Sequence, residues 1–189
     1  MLNWFRTRGA NTRKSKELYG AVVAEARRPE LFRDYGLPDT VEGRYEAIVL
    51  ILFVVLERLR AERPEADDVS RLTLEALFTD MDDCMREMGV GDLTVPKKVR
   101  KSAAGFYERA QAYRGPLAGG DSQALGEQIA AFVASNPPRD GDGAGEAGAT
   151  GFDRLARYAI GLRDRLAASS LDEVVGGRSL AARDTSETT

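Results

Sequence analysis

The chain has 189 residues, of which 43% are hydrophobic and 30% are charged, a composition in the ordinary range of globular domains and unlike that of a disordered polymer. It contains no histidine and a single cysteine, Cys84, which excludes histidine-dependent catalysis, an internal disulfide and a thiol-rich zinc site. The formal net charge of −3 provides no overall field to attract nucleic acid, so we predict no DNA binding and expect any anionic partner to be held by a local patch.

The first 14 residues carry four cations and no acid behind an apolar start. We interpret residues 1–14 as a basic N-terminal arm that is either a frayed tail or a segment docking on a membrane or a partner through Trp4, Phe5, Arg6 and Arg8. No long apolar stretch and no small-residue cleavage site follows. We therefore expect no secretory signal or presequence and a cytoplasmic protein.

Helical periodicity runs through most of the remaining chain. It predicts a helix from Ser15 to Pro29 and further helices at about 41–62, 69–88, 94–114 and 121–134. Asp39, followed three residues later by Glu42, is the predicted N-cap of the second of these. That helix has no polar face through its middle, and its apolar run, residues 47–56, is about half the length a bilayer requires. The sequence thus predicts an all-α, compact multi-helix bundle over residues 15–135 with this helix buried at its centre.

The C-terminal quarter differs in composition. Residues 136–151 contain no large apolar side chain and are predicted to form a flexible Gly/Pro-rich linker. Residues 152–175 are predicted to form one amphipathic helix that docks on the bundle, or otherwise on a partner. The composition of residues 176–189 is typical of a disordered tail.

Four cations lie together where the fourth long helix is predicted to begin. They form what we call the basic cluster: Lys97, Lys98, Arg100 and Lys101. Because the backbone dipole is positive at this end, each such charge costs about 0.3–1 kcal/mol. We predict that the cluster binds an anion, which would be a phosphate, a lipid head group, RNA or an acidic protein surface. The alternative is neutralisation by Asp92 and the acidic third helix.

Two other patterns on the third helix have a structural and a functional interpretation. Asp80, Asp83 and Glu87, here called the acidic face, have the helical spacing of a Mg²⁺-binding surface, but no second acidic helix faces them in the sequence. A solvated helix face is favoured, and we predict no metal, no cofactor and no catalytic residues. Met81, Met85 and Met88 are predicted to belong to the core, with an adaptable apolar surface as the alternative.

Three blocks occur in a characteristic order. They are residues 35–46, YGLPDTVEGRYE; residues 80–93, DMDDCMREMGVGDL; and the basic helix that continues through Phe106 and Tyr107 to Tyr113. Together they resemble the ubiquinol-cytochrome c chaperone family over about residues 15–135. The linker and the C-terminal helix lie outside this resemblance.

The resemblance implies an α-helical, non-enzymatic protein. Mitochondrial relatives bind newly made cytochrome b and escort it into ubiquinol-cytochrome c reductase, together with a small partner protein, near the ribosome exit and the inner membrane. A bacterial member without a presequence would meet its client at the cytoplasmic face of the plasma membrane, with the basic cluster contacting client, ribosome or lipid. Two alternatives come from other classes: a Mg²⁺-dependent enzyme that acts on an isoprenoid diphosphate through the acidic face, and a membrane-surface adaptor.

Overall fold

The computed structural model describes residues 2–136 and 149–180, and the side chains of residues 9–136 and 150–180. The helices in chain order are α1 (Leu2–Ala26), α2 (Pro29–Arg33), α3 (Val41–Arg60), α4 (Asp67–Glu87), α5 (Val95–Gly119), α6 (Ser122–Ser135), α7 (Ala149–Ala168) and α8 (Leu171–Val175). No strand occurs in these ranges, and the predicted all-α bundle is confirmed. None of the helices described combines the length and the apolar character needed to cross a membrane.

Helix α3 lies at the centre of the bundle, as predicted. Every residue from Val49 to Val55 is buried, and α3 packs against α1, α4, α6 and α7. Its ends reach the surface, where Val41, Arg44 and Arg60 are exposed. A helix that is apolar all round is stable in water only when other helices surround it.

The N-cap of α3 is Thr40, and the prediction that Asp39 caps it is wrong. The Gly43 N–H donates to Thr40 Oγ1 at 3.2 Å, and Thr40 has the extended backbone typical of a capping residue. The chain therefore turns into the helix one residue later than predicted. The Asp39 carboxylate instead accepts a hydrogen bond from Arg44 Nε at 2.8 Å.

Helix α1 begins at Leu2, so the backbone of the predicted arm is continuous with the helix that was expected to start at Ser15. No proline interrupts residues 2–26, and Gly9 alone costs only about 1 kcal/mol. Ion pairs on this part of the helix join Arg13 to Glu17 at 3.6 Å and Lys14 to Asp172 at 3.5 Å. The latter contact ties α1 to α8.

Helix α5 continues past Gly115 and Pro116, where the sequence predicted its end. Gly115 has no Cβ to clash with the proline ring, which removes part of the steric conflict that usually ends a helix before proline. Leu117, in the following turn, is buried, and its carbonyl accepts a hydrogen bond from Arg163 Nη1 of α7. Burial and this contact hold the last turn until Gly120, whose φ of 70° ends the helix.

The predicted C-terminal helix is two helices, because Ser170 starts a new one. Its hydroxyl and the Glu173 side chain form a reciprocal capping box at the N-terminus of α8. Helix α7 packs against α6 and α3, and it adds Leu155, Leu162 and Leu166 to the core. Of the predicted linker, residues 149–151 belong to α7 and residues 137–148 lie outside the described residues.

The disordered tail was predicted to begin at residue 176, but residues 176–180 are part of the folded bundle. Residues 176–180 form turns, and Leu180 is buried in the core. Gly177, with a φ of 71°, approaches Ala21 of α1 so closely that a Cβ would lie 2.5 Å from the alanine methyl group. Residues 181–189 lie outside the described residues.

Helices α3 and α5 run parallel and therefore begin at the same end of the bundle. The Tyr45 hydroxyl donates to the Ser102 carbonyl at 3.3 Å, and Arg114 Nη2 donates to Glu57 Oε1 at 2.9 Å about three turns later in both helices. The turn between α4 and α5 brings the C-terminus of α4 to this end. Helix α1 also ends there, because Arg27 and Arg44 line one surface cleft.

Candidate functional site

The basic cluster lies at this end of the bundle, on the outer face of α5. Lys97, Arg100 and Lys101 are exposed and Lys98 is half-buried. The opposite face of α5 is buried through Val95 and Phe106 among other residues. The helical spacing of the cluster thus turns all four cations away from the core.

The cations of the basic cluster form no ion pair with any described residue within 4.0 Å. Asp92, the predicted neutralising partner, is instead bound by Arg86 Nη1, while Arg86 Nε holds Asp82 at 2.6 Å. Asp92 is therefore paired within 4.0 Å with Arg86 and not with the basic cluster. Within the part of the chain that the structure describes, no ion pair at this distance neutralises the cluster.

Two exposed apolar side chains precede the basic cluster closely in the chain. Leu93 is 90% exposed in the turn between α4 and α5, and Met88, at the end of α4, is 58% exposed. We call these two residues together with the basic cluster the basic corner. Two further large hydrophobic side chains are exposed in the part of the chain described: Tyr107, 60% exposed on the outer face of α5, and Val41, 65% exposed at the start of α3. Val41 lies about one turn before Tyr45, just as Lys98 lies about one turn before Ser102, so both are at the same level of the bundle.

Sequence reasoning identified the cations and offered Met88 as part of an adaptable apolar surface, but it did not identify Leu93. Leu93 follows Asp92 in a short glycine-containing connector, and a single leucine in such a turn carries no periodic signal. Val41 and Lys98 are far apart in the chain and reach the same level only because α3 and α5 are parallel. That arrangement depends on tertiary packing.

A buried ion pair holds α5 against α3 behind the basic cluster. Arg109 Nε donates to Glu46 Oε2 at 2.8 Å, and both side chains are buried. The guanidinium carbon also lies 4.5 Å from the ring centroid of Phe132 on α6. Burial alone would lower the pKa of Arg109, but the hydrogen bond and the charge of Glu46 outweigh it and raise that pKa. The arginine therefore stays charged and links three helices.

The predicted arm residues are not brought to the basic corner. Trp4, Phe5, Arg6 and Arg8 belong to the first turns of α1, and their side chains lie outside the described residues. Because α1 ends beside the start of α3, its first turns lie about 30 Å away along the helix axis. The arm and the basic cluster are separate surfaces.

The acidic face points toward α1. Asp80 accepts a hydrogen bond from the Tyr19 hydroxyl of α1 at 2.9 Å. Burial, and then this hydrogen bond, raise the pKa of Tyr19. Across the described ranges no three His, Cys, Asp or Glu side chains come together in a way that could hold a metal ion. The Mg²⁺-dependent alternative thus gains no support from these residues.

The methionine stripe of α4 divides between core and surface. Met81 packs against the core, as predicted, while Met88 is exposed about three turns beyond Leu77, the last buried residue of α4. Gly89, with a φ of 75°, then ends the helix, and the Val90 N–H donates to the Met85 carbonyl at 3.0 Å. This closing turn fixes the direction in which the connector with Leu93 leaves α4.

Comparisons with known proteins agree on one family. The family model described as ubiquinol-cytochrome C chaperone matches residues 33–181. The match includes α7 and α8, so the prediction that the resemblance stops near residue 135 is wrong. The solved structure of a Cbp3 homolog from Brucella abortus is similar with a TM-score of 0.73 and 30% sequence identity, covering 93% of each chain. No curated protein matches the chain.

Proposed function

Because the chain belongs to the ubiquinol-cytochrome c chaperone family, we propose that it binds newly made cytochrome b and promotes its assembly into ubiquinol-cytochrome c reductase. It acts by reversible binding and without turnover of a substrate. On this proposal it works at the cytoplasmic face of the plasma membrane, as a peripheral protein. A small partner chaperone assists it, as the family resemblance implies.

The observation that carries the proposal is the combination of unpaired charge and exposed apolar surface at the basic corner. Four cations that form no ion pair with any carboxylate of the described residues lie close in the chain to Leu93, which is 90% exposed. Charged side chains at the rim of an interface steer association, and burial of apolar side chains under a partner stabilises the complex. The basic cluster therefore contacts the client, the ribosome or the lipid surface.

An assembly chaperone must also release its client. A chaperone can shift the equilibrium between unassembled and assembled client only by as much as its affinities for these two states differ. We expect the protein to bind unassembled cytochrome b more tightly than cytochrome b within the mature complex, where partner subunits cover the same surfaces. No chemical step is needed for this cycle.

Deletion of the gene tests the function directly. We expect the deletion strain to lose b-type haem absorbance and reductase protein from its membranes, and the wild-type gene to restore both. Site-specific cross-linking from the basic corner should capture newly made cytochrome b and not the assembled subunit. Unchanged reductase in the deletion strain would contradict the proposal.

A quadruple variant connects the function to the basic cluster. Replacing Lys97, Lys98, Arg100 and Lys101 with Gln should weaken association with the partner most at low salt, since salt screens exposed charges. The control replaces four exposed cations on other helices: Lys16, Arg71, Arg154 and Arg165. Both variants lower the net charge by four, and the control removes this charge from positions outside the basic cluster. Circular dichroism should show unchanged helix content in both.

A further inference from the structure

We propose that the basic corner docks on the surface of a bilayer that contains anionic lipid, with Leu93 and Met88 entering the head-group region and the basic cluster lying against lipid phosphates. The inference rests on the proposed function and deepens it, because it names the bilayer as the partner of this corner. It would hold the chaperone where a membrane-bound client emerges.

The first argument is charge complementarity. The basic cluster lacks carboxylate partners among the residues described. Asp92, the acid in the turn before α5, is paired with Arg86. Among the other acids of α4, Asp82 is held by Arg86 at 2.6 Å and Asp80 contacts Tyr19 of α1. The corner therefore offers concentrated positive charge although the whole chain carries −3. Anionic head groups attract such a cluster with about 1 kcal/mol for each Lys or Arg near the surface.

The second argument is the kind of apolar side chain and where it lies. Leu93 and Met88 are aliphatic and project from a turn and a helix end, with 90% and 58% of their surface exposed. These two side chains cannot stack on nucleic-acid bases, which is how unpaired RNA is held by most proteins; the exposed aromatic side chain of α5, Tyr107, lies about two turns beyond Arg100. Burial of Leu93 and Met88 at the boundary between head groups and acyl chains would stabilise the bound state, while the neighbouring cations remain at the level of the phosphates.

The third argument is shape. Two surface clefts of the described chain lie away from the corner, one lined by residues that include Arg27 and Phe32 and the other by residues of α6 and α7. The corner itself is an exposed turn between two helices. An exposed apolar side chain beside cations of one helix fits a broad flat surface better than it fits a peptide, which requires a groove.

Flotation of the purified full chain with lipid vesicles tests the inference. We expect binding to vesicles of phosphatidylcholine mixed with phosphatidylglycerol, little binding to phosphatidylcholine alone, and loss of binding at high salt. The quadruple Gln variant of the basic cluster should bind the anionic vesicles about a hundredfold less tightly or worse. The control variant of Lys16, Arg71, Arg154 and Arg165 should bind like the wild type.

A single apolar substitution separates lipid insertion from charge attraction. Leu93→Ser keeps every charge and should still lower the affinity for anionic vesicles about tenfold, since it removes the side chain that enters the bilayer. Equal binding by wild type and Leu93→Ser would overturn the inference, as would equal binding by the cluster variant and its control. Binding to single-stranded RNA in place of vesicles would also overturn it.

The two proposals fail in different experiments. If vesicles are not bound but gene deletion still depletes the reductase, docking on lipid is wrong and the chaperone function stands. If vesicles are bound as expected but deletion leaves the reductase unchanged, the corner is a lipid-binding surface and the proposed function is wrong.

Discussion

Two arginines of α5 reach carboxylates of α3, and the two pairs differ mainly in their exposure to water. Arg109 and Glu46 are both buried, while Arg114 is exposed and its partner Glu57 is half-buried. A buried pair gains from the low dielectric but leaves a costly unpaired charge when one partner is removed. An exposed pair is screened by water and contributes little. The same contact between the same helices therefore has two different energetic roles.

Matched substitutions at these pairs test this difference. We expect Arg109→Ala to lower the free energy of unfolding by about 3–5 kcal/mol, because Glu46 is then buried without a counter-ion. Arg114→Ala should change it by less than about 1 kcal/mol. Urea unfolding followed by circular dichroism measures both. A double variant, Glu46→Leu with Arg109→Met, should recover much of the loss, and similar small effects of both single substitutions would contradict the argument.

Close approach of two helices depends on a glycine in α6. A Cβ at Gly126 would lie 3.1 Å from the Phe152 carbonyl carbon and oxygen and 3.2 Å from the Asp153 nitrogen of α7. These are backbone atoms, which cannot move aside as a flexible side chain can. The Ser122 hydroxyl, one turn earlier, donates to Asp153 Oδ1 at 2.8 Å and sets the same spacing. The docking of α7 thus requires Gly126 for steric reasons.

The same substitution at two helical glycines should have opposite effects. Gly126→Ala should lower the free energy of unfolding by about 1 kcal/mol or more, because the methyl group pushes α7 away from α6. At Gly161 of α7 a Cβ meets nothing within 4 Å, so Gly161→Ala should raise stability by about 0.5–1 kcal/mol through helix propensity. Thermal unfolding of the two variants measures the difference. Equal changes of one sign would show that contact with α7 has no influence at Gly126.

The sequence allowed the middle of each element to be predicted, but not all of its ends. The apolar stripes of α3 and α4 follow helical periodicity, and both helices were placed within two or three residues. The continuation of α5 through Pro116 depends on burial of Leu117 and on Arg163 from α7, neither of which is local information. Leu180 falls in a polar, glycine-containing segment whose composition suggests disorder. Only packing against the bundle reveals it as a core residue.

At the candidate site, the sequence predicted the basic cluster but not how the turn between α4 and α5 arranges its neighbours. The basic cluster stands out because cations are rare at a helix start. Among the described residues, Asp92 pairs with Arg86 rather than with the cluster, and that pairing requires the geometry of the turn between α4 and α5. The position of Met88 and Leu93 beside the cluster follows from the same turn.

At the scale of the whole molecule, tyrosine hydroxyls join helices that are distant in the chain. Tyr19 links α1 to α4, Tyr45 links α3 to α5, and the Tyr158 hydroxyl of α7 donates to the buried Glu25 of α1 at 2.5 Å. Burial raises the pKa of Tyr45 to about 12. Burial also raises the pKa of Tyr113, and burial followed by the bond to Glu25 raises that of Tyr158. All of these groups are held in the neutral form by the folded state.

Stability should therefore fall at alkaline pH, above the ordinary tyrosine pKa of about 10. A raised folded-state pKa means that the unfolded chain releases the proton first, so the stabilisation is complete below pH 10 and is lost as pH rises toward 12 and beyond. We expect the tyrosinate absorbance of these residues to appear together with the loss of helical circular dichroism rather than before it. The control is Tyr45→Phe, which removes the hydrogen bond to Ser102 and should cost about 1 kcal/mol at neutral pH. The same variant should show a shallower loss of stability above pH 10, because one group that titrates on unfolding is gone. Ionisation of all six tyrosines near pH 10 with the helices intact would contradict this account.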